Sequence, residues 1–202
     1  RLALRVRQGL GNWREVERIV RQLEKHHAMT AEQARPIRQR AYRELLAQIG
    51  QRNDGGAGME QFLKELADVD RLQPRFVLDA VARLNAAGRH NEAAVLIEEA
   101  LEAGWDSDLA GAYGDCGGDA IAHIAQAERW LHAHPDDANL LLTLGRLCRR
   151  QQLWGKAQSY LEASLSVRAS REAQLALAAL LDELGQHEQA NRYYRAIAAE
   201  LS

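Results

Sequence analysis

Apolar residues recur along most of the chain at intervals of three and four, as at Leu141, Leu144 and Cys148, and again at Ala157, Leu161 and Ser164. That period is helical. Runs of alternating Val, Ile and Thr are absent, so no strands are expected. The pattern predicts helices over 1–9, 13–27, 31–50, 58–71, 74–87, 90–103, 107–113, 119–133, 137–150, 154–167, 171–184 and 187–201. Two glycine-rich stretches, Gln51 to Gly58 and Gly111 to Gly118, interrupt it and predict loops or hinges.

A short phrase returns between the helices. Ala87-Gly88-Arg89-His90-Asn91-Glu92-Ala93 is matched by Leu184-Gly185-Gln186-His187-Glu188-Gln189-Ala190. A glycine ends one helix and a small residue, five positions on, opens the next, which lets two helices turn tightly and pack closely. Gly11 starts a similar phrase. The markers Gly88, Gly118, Gln152 and Gly185 are spaced by 30, 34 and 33 residues. This repetition predicts a stack of helical hairpins of about 34 residues each rather than one core. The helix over 31–50 is too long for a regular hairpin arm, so the N-terminal third is the least regular part.

The most regular unit spans Ala138 to about Ser170. Leu141, Leu144, Gly145, Cys148, Ala157, Leu161 and Ser164 fall at the large, large, small, large, small, large and small positions of a tetratricopeptide repeat. Pro135 precedes the unit where that pattern places its helix-ending proline, and Asp136 and Asp137 favour the following N-terminus. The unit resembles a tetratricopeptide repeat, and the pattern covers residues 74–202.

A narrower resemblance lies in His134 to Leu165, and above all in Gln151-Gln152-Leu153-Trp154-Gly155-Lys156-Ala157. This run, Gly11-Asn-Trp-Arg and the helix opening Thr30-Ala-Glu-Gln resemble, in the same order, the HemY family of bacterial inner-membrane repeat proteins associated with late protohaem biosynthesis. The resemblance implies a scaffold that holds haem-pathway enzymes near the membrane. It also implies an anchor N-terminal to the chain and a repeat domain on the cytoplasmic side. The chain opens at Arg1, within an apparent helix, and reads as a fragment.

Composition agrees with an all-helical chain: only three prolines among 202 residues, and 47% hydrophobic residues for a core. No segment approaches the roughly 18 uninterrupted apolar residues of a membrane span. The net charge of −2 hides a gradient, +7 over residues 1–43 and −9 over the remainder, which suggests an oriented surface. Cys116 and Cys148 have neither metal spacing nor a disulfide framework and read as small apolar residues.

Two candidate surfaces follow. Arg14, Arg18, Arg21 and Lys25 share one helix face, which Arg35, Arg38 and Arg43 would extend. The face suits anionic lipid headgroups or an acidic partner, and equally a solvated surface. Nucleic acid is not expected, because no aromatic residues interleave with the stripe. The second is the concave groove that first helices of such repeats line. Its residues would be Arg75, Leu78 and Asn85 in one unit, and Asn139, Leu142, Arg146, Arg149 and Arg150 in another. Guanidinium and amide groups there suit carboxylates and peptide backbone.

No cofactor is expected. Gly114-Asp-Cys-Gly-Gly118 lacks the lysine and the preceding strand of a phosphate loop, and no dinucleotide fingerprint occurs. Of the seven histidines, His90 and His187 lie in equivalent turns, His132 and His134 do not share a face, and His123 occupies a small-residue position. Metal or haem ligation is therefore not the expected role. Trp13 and Trp154 each start a second helix and suit hairpin packing; Trp105 and Trp130 would cap the degenerate unit around 105–135.

The sequence thus predicts an all-α, right-handed α-solenoid of about five tetratricopeptide-like hairpins. Residues 1–56 would be a truncated first repeat plus a long irregular arm, and 57–202 one continuous solenoid. The function expected is non-catalytic binding of a protein partner, of the HemY type. A generic adaptor in envelope assembly or secretion, and a tetrapyrrole-binding chaperone, are the alternatives.

Overall fold

The computed structural model describes residues 7, 9–51 and 56–199. Most of the helix expected at 1–9, the centre of the loop at 51–58 and the end of the last helix lie outside the described residues. Every element among them is helical: α1 (Trp13–Lys25), α2 (Ala31–Gly50), α3 (Ala57–Glu65), α4 (Asp68–Arg71), α5 (Pro74–Ala86), α6 (His90–Ala103), α7 (Ser107–Tyr113), α8 (Ala120–Ala133), α9 (Ala138–Arg150), α10 (Trp154–Val167), α11 (Arg171–Glu183) and α12 (His187–Ala199). The fold is all-α and of the tetratricopeptide-like class, as the sequence predicts. Packing divides the chain into two units, Arg1–Ala100 and Leu101–Ser202.

In the first unit α1 packs on α2, and α2 packs on α3 and α5. The core includes Trp13, Val16, Val20, Leu46, Phe62 and Phe76. Thr30 starts α2 with a capping box: its hydroxyl accepts from the Gln33 N–H, and the Gln33 side chain accepts from the Thr30 N–H. The helix expected over 58–71 is two helices. Leu66 and Ala67 are extended, with ψ of 143° and 144°, and end α3. The break lets α4 turn Asp70 toward Arg38 of α2, where its carboxylate is held.

In the second unit α9 is the central element, packed against α7, α8, α10 and α11. Leu141, Leu144, Gly145, Cys148, Ala157, Leu161 and Ser164 are all buried, so each large and small position of the regular repeat faces the packing it was assigned. Gly145 shows why the small position matters. A Cβ there would lie 2.6 Å from the side chain of Leu161, which is fully buried and would have to shift. The Ser164 hydroxyl donates to the Ala138 carbonyl at 2.8 Å and ties α10 to the start of α9.

The recurring phrase is a helix-terminating device. Arg89 N–H donates to Leu84 C=O, Leu153 N–H to Cys148 C=O and Gln186 N–H to Leu181 C=O, at 2.8–2.9 Å. Each bond closes a helix through a residue of positive φ: Gly88 at 73°, Gln152 at 57° and Gly185 at 74°. This is the Schellman geometry, and a left-handed residue is its requirement. Gln152 therefore carries a backbone strain that its glycine counterparts do not. Gln152→Gly is expected to stabilise the protein by roughly 0.5–1 kcal/mol, after the added freedom of the unfolded chain is subtracted. A urea titration checks this; an unchanged midpoint means that the Gln152 side chain offsets the strain.

Candidate functional site

The basic face lies on α1. Arg14, Arg18, Arg21 and Lys25 are all exposed, as a shared helix face requires. Two of the four are engaged locally: Arg18 pairs with Glu15 at 2.7 Å, and Arg21 pairs with Glu17. Arg14 and Arg21 also edge a small cavity of about 70 Å³ beside Tyr42 and Phe62.

Arg38 does not extend this face. Its side chain is 15% exposed and sits between Glu24 and Asp70. Nη1 donates to Glu24 at 2.6 Å, and Nε donates to Asp70 at 2.8 Å. Gln39 Nε2 adds bonds to the Asp70 carboxylate and its carbonyl, both at 3.1 Å. The cluster joins α1, α2 and α4, so it is structural. Sequence periodicity counted a cation at that position but had no means of finding carboxylates 14 and 32 residues away.

The groove residues divide. In the first unit Arg75 is exposed, and Asn85 is half-buried with its amide oxygen 3.1 Å from His90 Nδ1. In the second unit Leu142 is only 7% exposed, because α9 is enclosed by its neighbours. Asn139 is committed to structure: its amide donates to the Ser107 carbonyl at 3.2 Å, and its oxygen accepts from Arg168 at 2.5 Å.

Arg146, Arg149 and Arg150 are brought together. All three line one cavity of about 360 Å³, with Gly114 and Asp115 at the end of α7 and Glu172, Leu175, Ala176 and Ala179 on α11. Their spacing on α9, i, i+3 and i+4, puts them on one face. Arg150 donates to the Gly114 carbonyl at 2.8 Å. Arg149 stands 4.0 Å from Glu183, beyond hydrogen-bond distance. Leu175 is 40% exposed on the floor.

The irregular unit around 105–135 is held by aromatic stacking. His134 lies flat on Trp105, with ring centroids 3.7 Å apart. Trp105 meets Trp130 edge-on at 6.1 Å, Trp130 meets Tyr113 at 4.8 Å, and Tyr113 meets His123 at 4.7 Å. His123 thus fills a small-residue position as a buried ring. Asp137 anchors the series. It caps α9 by accepting from the Asn139 and Leu140 N–H groups, and it also accepts from Ser107 Oγ and Trp105 Nε1, all at 2.8–3.0 Å. Burial alone raises its pKa, but the bonds from Leu140, Ser107, Trp105 and Asn139 outweigh burial and hold the carboxyl below its ordinary range.

His90 and His187 occupy equivalent turns and face Asn85 and Asp182, each five residues earlier. Both cysteines are free and buried, and burial pushes the Cys148 thiol up to about 11. Among the described residues no group of three or more His, Cys, Asp or Glu side chains is placed to hold a metal ion. Among the same residues no helix is long and apolar enough to cross a membrane.

The first unit has a cavity of about 580 Å³ that sequence patterning missed. Leu63, Leu66, Leu84 and Leu96 line it, with Arg71 and Glu99 at its edge. Leu66, the residue that ends α3, is part of the cavity lining. The break at Leu66 was the available signal, hidden because 58–71 keeps a helical period throughout.

The fold is that of a tetratricopeptide-like helical repeat. Two solved structures share the fold. One is "MamA 41-end from Desulfovibrio magneticus RS-1", with a TM-score of 0.53 and 14% identity, over 80% of this chain and 93% of that one. The other, "MamA RS-1 ArsTM double mutant", has a TM-score of 0.52 at the same identity and coverage. No protein-family model and no curated protein matches the sequence.

Proposed function

We propose that this chain is a non-catalytic protein-interaction scaffold of the HemY type, whose partners are enzymes of late haem synthesis, held near the inner membrane by an anchor outside the chain. The observation that carries the binding role is the cavity between α7, α9 and α11, with three guanidinium groups on one wall and an exposed leucine on the floor. Such a surface suits binding by charge-assisted hydrogen bonds and apolar contact. The HemY assignment rests on the run around Trp154 and on the fragments in the first third of the chain that resemble that family in the same order. Assembly rather than chemistry is the reading that a repeat fold of this class favours.

A pull-down with terminal haem-pathway enzymes tests both parts. The protein is expected to capture at least one of them, and Arg146→Glu/Arg149→Glu to reduce capture about tenfold or more, given the usual worth of two charge-assisted bonds. Capture of no pathway enzyme removes the haem-pathway role. Capture that the double charge reversal leaves intact places the binding surface elsewhere.

A further inference from the structure

Three features of the cavity in the second unit bear on what it holds. Its guanidinium groups are unequally occupied: Arg150 is tied to the Gly114 carbonyl, Arg149 only approaches Glu183, and the Arg146 side chain has no ion pair or hydrogen bond among the described residues. Arg146 and Arg149 are both half-buried. A guanidinium drawn partly out of water without a partner is poised for an anion, and its planar fork fits a carboxylate.

The second feature is the charge of the lining. Glu172 and Asp115 stand among the lining residues with the three arginines, so the cavity is only slightly positive. That balance suits one or two carboxylates better than a densely anionic ligand such as a nucleic-acid backbone. The third is the floor. Leu175 is exposed, while Ala176 and Ala179 leave room above α11. An apolar side chain seated on Leu175 would lie beside a carboxylate held by Arg146 and Arg149.

We infer that this cavity recognises a short acidic segment of a partner protein, in which an Asp or Glu directly neighbours a large apolar residue. The carboxylate takes the Arg146 and Arg149 forks, and the apolar neighbour covers Leu175. Arg150 holds α7 against α9 and shapes the wall. This inference rests on the scaffold reading and names what the scaffold's groove selects.

Panning a displayed library of random octapeptides against the whole chain tests it, with the Arg146→Gln/Arg149→Gln variant panned in parallel. Circular dichroism confirms that the variant keeps its helices. Enrichment of peptides with an acidic residue next to Leu, Ile, Phe or Met, lost in the variant, is the expected result. A synthetic peptide from that pool is expected to bind Arg146→Gln about tenfold more weakly than the unaltered chain. It is also expected to weaken when its acid is changed to the amide. Enrichment of acid-free peptides that a Leu175→Ser change abolishes would overturn the acidic specificity and leave the scaffold reading standing. No enrichment dependent on Arg146, Arg149 or Leu175 would overturn both for this cavity.

Discussion

Replacing Arg38 with alanine is expected to destabilise the first unit by roughly 3–5 kcal/mol, the usual cost of breaking a buried ion pair from one side. Asp70 is the reason. Its side chain is 5% exposed, and Arg38 is its only cationic partner among the ion pairs of the described residues. Without the guanidinium, a carboxylate stays buried with the Gln39 amide as its remaining side-chain donor. Glu24, by contrast, is open enough to recover water. Arg38→Lys is expected to rescue little, because one ammonium cannot span Glu24 and Asp70 as the fork does. Arg38→Met combined with Asp70→Leu is expected to recover most of the loss, since the buried charge is then removed with its partner. Urea unfolding measures the stability, and hydrogen exchange locates it: lost protection should centre on α1, α2 and α4. A double variant no more stable than Arg38→Ala would show that the cluster acts through packing, not charge.

Asp137→Ala is expected to cost about 3 kcal/mol, from a lost helix cap and two half-buried donors, Trp105 Nε1 and Ser107 Oγ, left without their acceptor. Asp137→Asn should cost less, because an amide oxygen still caps α9 while its NH2 group opposes the Trp105 N–H. The tryptophan emission of the second unit should report the change, as Trp105 stacks between His134 and Trp130. The pH dependence has a definite sign. The folded-state pKa of Asp137 lies below its ordinary value of 3.8. Its contribution is therefore complete above about pH 5 and is lost as the pH falls through the folded value. The stability gap between the unaltered chain and Asp137→Asn should narrow below about pH 4. A gap independent of pH down to about 2 would mean that the ionised carboxylate is not what the site requires.

Most of the helix register was legible in the sequence because it depends on local physics. The period of apolar residues, the capping residue Asp137 and the left-handed turn residues act over a few positions. The observed helices follow the expected ones to within a residue or two at most ends. The exception, 58–71, is equally instructive. Its period continues through Leu66 and Ala67, and the contacts that accompany the break come from other helices: Arg38 and Gln39 hold Asp70, and Glu99 holds Arg71.

Side-chain roles were less legible, because they depend on distant partners. Arg38 and Arg146 look alike in sequence: each is a cation on a periodic helix. One is enclosed by two carboxylates from other elements, and the other faces a cavity without a partner. Leu142 and Leu175 also look alike, yet the first is covered and the second lies open. His123 reads as a misfit in a small slot until the rings of Tyr113, Trp130 and Trp105 are seen to continue from it.

The sequence by itself determined that the chain folds as repeated helical hairpins, where most helices begin and end, and that Gln152 must stand in for a turn glycine. Those outcomes are set by backbone sterics and by hydrogen bonds a few residues apart. Tertiary structure alone decided which arginines are mortar and which are open to a ligand. That choice depends on which carboxylates, carbonyls and apolar faces arrive from elsewhere in the same unit, a matter of packing that no local pattern encodes.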